Sequence, residues 1–106
     1  MRLEDERFAD LKKVLDWVVE LTKPQQVYLY NSKLELDGSL RSFKLCVVCA
    51  VGDKRALLGQ IFEVDCDTPF DVLLYTREQF EALRQSADSF ASRICTRGTL
   101  LYGQEL

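Results

Sequence analysis

From Phe43 to Val51 the chain is apolar at every position except Lys44, and no other feature limits the fold as much. A strand with one wet face alternates apolar and polar residues, so a run this solid predicts a strand buried on both faces, at the centre of its sheet. Its uninterrupted part, Leu45 to Val51, is far short of the roughly 20 residues that a membrane-spanning helix needs. Other elements must therefore cover it. A length of 106 residues leaves room for a single domain, residues 1–106, around one such core.

The covering elements can be read on either side. Between Leu3 and Leu21, the residues Phe8, Leu11, Val14, Leu15, Val18 and Leu21 recur at helical spacing, which predicts an amphipathic first helix stopped by Pro24. Val27-Tyr28-Leu29-Tyr30 is a β-branched and aromatic run, predicted as the first strand. The polar stretch from Asn31 to Ser42, with Asp37-Gly38-Ser39 as its turn signal, is expected to be a loop. Past the central strand, Asp53 is a candidate cap for a helix carrying Leu57, Leu58, Ile61 and Phe62. Phe70 to Tyr75 reads as a third strand, and Thr76 and Gln79 have capping-box spacing ahead of a helix with Phe80 and Leu83. Ser89 to Arg97 reads as one more helix with Gly98 as its stop, before a short last strand from Thr99 to Tyr102. The expected class is α/β (α+β): a mixed sheet of three or more strands with helices packed against it. Leu11, Leu15, Leu45, Val47, Leu73 and Phe80 are expected in its core.

Composition narrows the function. Fourteen basic and seventeen acidic residues give a net charge of -3, so no basic field attracts a phosphate backbone, and nucleic-acid binding is disfavoured. With no histidine, the commonest general base and any Ser-His or Cys-His nucleophile pair are missing. Cys46 and Cys49 stand three apart in a predicted strand, which sends them to opposite faces and rules them out as a zinc pair. The four cysteines read as reduced structural thiols, and the opening residues lack the apolar run of a signal peptide. A cytoplasmic protein without membrane contact is expected.

One stretch is more specific than the periodicity around it. Val27-Tyr28-Leu29-Tyr30-Asn31-Ser32 is followed, nine residues on, by Ser42-Phe43-Lys44-Leu45-Cys46-Val47-Val48. This pattern resembles the nucleotidyltransferase family, in particular its minimal single-domain members, whose signature is a strand, Gly-Ser, a similar gap, then Asp-x-Asp on the next strand. Phe70 to Phe80 resembles the strand that carries the family's third carboxylate and the helix after it, and Ser89 to Gly103 its closing helix and strand. The resemblance implies a nucleotidyltransferase-like mixed sheet over nearly the whole chain. In that family the Gly-Ser turn holds nucleotide phosphates, and the aspartates bind two divalent metals that neutralise charge on the phosphoryl group.

Carried over residue by residue, Asn31 replaces the glycine, Ser32 keeps the serine, Ser42 replaces the first aspartate and Lys44 the second. Asp71 alone keeps its carboxylate. Magnesium needs hard oxygen ligands, and this set offers one carboxylate, one hydroxyl and a cation, so no metal or other cofactor is expected. Each residue also has a plain structural reading: Asn31-Ser32 as a polar turn, Lys44 as a stem reaching solvent, Asp71 as the partner of a turn. The resemblance implies a catalytically silent domain, a pseudoenzyme, whose work is binding a protein partner or its own copy. Minimal members are often encoded beside small all-helical partners, some as antitoxin and toxin pairs. The alternatives are an active nucleotidyltransferase using Asp71 with Glu35 or Asp37, and a module that holds a nucleotide weakly with Lys44 in place of the metal. Under the alignment, Lys44 and Asp71 are expected side by side as an internal ion pair.

Overall fold

A computed structural model describes residues 6–103. A short 3-10 turn, Glu6–Phe8, leads into helix α1, Ala9–Thr22, which buries Leu11, Val14, Leu15 and Val18. Residues 3–5 of the predicted helix lie outside the described residues. The helix stops where Lys23 turns left-handed (φ 47°) and returns its N–H to the Val19 carbonyl, and Pro24, lacking an N–H, prevents another turn. Strands β1, Gln26–Leu34, and β2, Leu40–Val48, follow, then helix α2, Lys54–Ile61, and strand β3, Phe70–Tyr75. Helices α3, Arg77–Arg84, and α4, Phe90–Arg97, and strand β4, Thr99–Gly103, complete an α+β domain.

The four strands form one mixed sheet in the order β3-β2-β1-β4, with β2 inside it as the apolar run demands. β1 is antiparallel to both β2 and β4, while β2 and β3 are parallel and joined through α2. Each face has its own cluster. Val27, Leu29, Phe43, Leu45, Val47, Val72 and Leu74 pack with the apolar residues of α1 and with Ile61 of α2. Tyr28, Cys46 and Val48 pack on the other face with Phe80 of α3 and with Ala91 and Ile94 of α4. Burial of each Leu or Val contributes about 1.5–3 kcal/mol, so the sheet and the helices that cover it supply the hydrophobic stabilisation together.

The caps stand where residue type puts them. Asp53 accepts from the Ala56 N–H, Thr76 and Gln79 form a full capping box, and Ser89 accepts from the Ser92 N–H. Trp17 donates its indole N–H to the Gln60 carbonyl at 3.1 Å and ties α1 to the end of α2. Leu73, expected in the core, is half-buried, because β3 is an edge strand and α3 covers it incompletely.

The larger difference lies in the polar stretch expected to be a loop. β1 continues through Asn31 and Ser32 to Leu34, and β2 already begins at Leu40. Residues 35–39 alone make the turn, with the Gly38 N–H on the Glu35 carbonyl, Gly38 left-handed (φ 88°), and Asp37 accepting from the Ser39 N–H and hydroxyl. Hairpin hydrogen bonds hold these strands extended although their side chains are wet, and no apolar alternation marks them.

α4 runs almost directly into β4 through Gly98, where an added Cβ would lie 2.6 Å from the Ile94 carbonyl oxygen and 3.0 Å from that of Leu29. This close join fixes where β4 starts. β4 therefore pairs with β1 only from Gln26 to Leu29 and leaves the rest of that edge without a neighbouring strand among the described residues.

Candidate functional site

The sheet register brings three of the candidate residues into one row. Asn31 of β1 stands opposite Lys44 of β2, and Lys44 stands beside Asp71 of β3. A bulge makes the first pairing: Leu29 faces Leu45, Tyr30 is the extra residue, and Asn31 thereby shifts opposite Lys44. Alternation along β2 puts Ser42 and Lys44 on the face where Cys46 and Val48 lie under α3 and α4. Lys44 and Asp71 are exposed and Ser42 is half-buried, so the row sits at the end of that face which the helices leave open.

Asn31, Ser32, Lys33, Ser42, Phe43 and Lys44 line a cavity of about 90 Å³. Four of the five candidate positions share it, and Asp71 is the neighbour of Lys44 outside it. At ~30 Å³ for each water, the cavity has room for roughly three waters, well under the ~300 Å³ at which small-molecule pockets begin. It can take one phosphate-sized anion against the ammonium groups of Lys33 and Lys44, the Ser42 hydroxyl and the Asn31 amide, while Ser32, opposite Phe43, turns its hydroxyl to the other face; it cannot enclose a nucleotide.

Several expectations change here. Asn31 and Ser32 are strand residues, so the turn that would wrap phosphates does not form. Lys44 and Asp71 are neighbours as the alignment requires, yet no ion pair joins them, and the Asp71 carboxylate accepts from the Val72 N–H at 2.9 Å. Both side chains are exposed, and hydration competes with a contact worth about 0–1 kcal/mol at a surface. The set does not fit a two-metal centre: the row holds a single carboxylate, and a lysine is its cross-strand neighbour. The loop carboxylates do not help. Glu35 and Asp37 sit at the hairpin tip, and the five residues from Lys44 to Ser39 span about 17 Å at ~3.4 Å each. Hydrogen bonds from the Ser39 hydroxyl and N–H hold the Asp37 carboxyl below its usual range, so it is committed to the turn.

Tyr30 belongs to the site and was not singled out by sequence. It is half-buried, with its ring edge-to-face with Phe90 at 5.5 Å. Burial first, and then the negative charge of Asp71, push its hydroxyl up to about 12. An aromatic in an apolar run reads as core, and alternation puts this one on the face of Tyr28, toward the end that the helices leave open. The cysteines are spent in the core: Cys46 lies in the α3–α4 cluster and Cys49 in the α1–α2 cluster, on opposite faces as their spacing requires. Burial pushes the Cys46 thiol up to about 12, which leaves it no thiolate for chemistry at neutral pH.

Compared with known proteins, the chain matches no family model, no curated protein and no solved structure. Among the described residues no helix is long and apolar enough to cross a membrane.

Proposed function

We propose that this chain is a catalytically silent, nucleotidyltransferase-like domain that works as a protein-interaction module. One observation carries the reading. Along the side of β1 that β4 does not reach, the hairpin holds Leu34 at 55% and Leu36 at 109% exposure beside strand backbone with no described neighbour. Apolar side chains next to an open strand edge are better satisfied by a protein than by water. Silence is supported by the row itself, where Lys44 occupies the place of the family's second aspartate and Asn31-Ser32 lie in a strand.

The test is capture from an extract of the native cells, comparing the wild-type chain with Leu34→Ser/Leu36→Ser. A protein held by the wild type and lost by the variant is expected. Equal capture by both overturns the reading.

The small cavity favours a second reading, in which Lys33 and Lys44 hold a single phosphate group of a nucleotide without metal. ATP titrated calorimetrically in a chelator would then bind, and Lys44→Ala would abolish binding. Binding that requires magnesium would instead support an active enzyme and count against both readings.

A further inference from the structure

We propose that residues 33–35, where β1 runs out into its turn, pair antiparallel, about a two-fold axis at Leu34, with the same residues of a second copy of this chain. This bridges the two sheets through one Leu34–Leu34 pair flanked by two Lys33–Glu35 pairs. The inference rests on the interaction reading and names its surface and partner.

Three observations lead to it. The first is the open edge, since β4 stops pairing at Leu29 and leaves residues 30–34 of β1 unpaired on that side among the described residues. Unpaired N–H and C=O groups in an extended strand are a template for another strand. The segment carries no proline, and Lys33 is the one charged side chain within the strand there that would discourage pairing.

The second is the direction of the backbone. The Glu35 N–H bonds the Ser39 carbonyl at 2.8 Å and the Glu35 carbonyl accepts from the Gly38 N–H at 3.0 Å, so Glu35 turns both groups inward. The register shift between Lys33 and Leu34 puts its extra residue, Arg41, on β2, so alternation along β1 is kept there and turns those of Leu34 and Ser32 outward. A two-fold antiparallel pair sets one residue opposite its own copy, and only an outward-facing residue can exchange hydrogen bonds with itself across the axis. Leu34 and Ser32 are the candidates.

The third is charge and apolar complementarity, which chooses between them. An axis at Leu34 sets Lys33 opposite Glu35 of the other copy, twice, on one face of the new sheet. On the other face it brings the two exposed Leu34 side chains together. An axis at Ser32 sets Lys33 opposite Asn31 and meets the bulge at Tyr30, where the alternation breaks. An axis at Lys33 would oppose like charges. The Leu34 axis alone turns the charge that guards the edge into an attraction.

The test is sedimentation velocity over a concentration series, at low salt, on the wild type, Lys33→Glu, Glu35→Lys and the double exchange, with circular dichroism to verify folding. The wild type is expected to self-associate. Each single change sets like charges opposite one another at both sites and should weaken association by about tenfold, and the double exchange should restore it. A wild type that stays monomeric up to its solubility limit overturns self-pairing, while the interaction reading is still decided by its own capture experiment. Association that none of the variants alters also overturns it, and in that case the chain still binds protein, through another surface.

Discussion

Residues 27–29 and residues 31–34 belong to one strand and have different surroundings. The first set has β2 on one side, β4 on the other and helices on both faces, and it is buried throughout; the second has β2 alone and is exposed. β2 does not follow this: it is buried from Leu45 to Val48, and farther out it alternates, with Leu40 and Phe43 in the core and Arg41 and Lys44 wet. Hairpin hydrogen bonds thus carry β1 past the place where its own burial stops. The inner half supplies stability, and the outer half is free to present side chains and backbone to something else.

The largest expected effect separates the halves by stability. Leu45→Ala, at a fully buried inner position, should lower urea-unfolding stability by about 2–5 kcal/mol. Leu34→Ala, on the outer half, should change it by no more than about 0.5 kcal/mol when measured on dilute protein. Comparable losses would erase the distinction.

Alkaline titration sharpens it from the inner side. The folded chain keeps the Cys46 proton until about pH 12, whereas an unfolded thiol loses it near 9.0. Stability is therefore full below pH 9 and falls as the pH climbs toward 12, and Tyr30, raised from 10.0 to about 12, adds to the fall in the upper part of that window. Cys46→Ala should flatten the decline between pH 9 and 10. An unchanged slope would mean that Cys46 is not the group responsible.

A smaller loss is expected from the cover of the inner half. Thr76→Ala removes the side chain that accepts from the Gln79 N–H at the start of α3 and should cost about 1 kcal/mol in the same assay. The smallest effect belongs to the candidate row. Lys44→Ala and Asp71→Ala should combine with a coupling below about 1 kcal/mol, as for exposed cross-strand charges. A much larger coupling would show a closed ion pair and a drier site.

The element order was legible because each element carries a local cause: the solid run for β2, Pro24 after α1, the Thr76 and Gln79 spacing before α3. The outer strands were not. Asn31, Ser32, Lys33, Arg41 and Ser42 are polar because they are wet, and polarity without alternation is the mark of a loop. That Lys44 and Asp71 stand side by side was legible through the resemblance, while Asn31, expected in a turn, was not placed beside them. The place of Tyr30 was not, since an aromatic in an apolar run gives no sign that the helices above it stop short. The missing ion pair is a matter of solvation, which spacing does not report.

The central claim is that the outer end of β1 serves contact with protein, namely with a second copy of this chain. Hydrogen–deuterium exchange, followed by mass spectrometry at low and high concentrations of the wild type, tests it most directly. The account predicts that protection over residues 33–35 rises with concentration while that over residues 26–29 stays constant. Exchange over residues 33–35 that ignores concentration would contradict it.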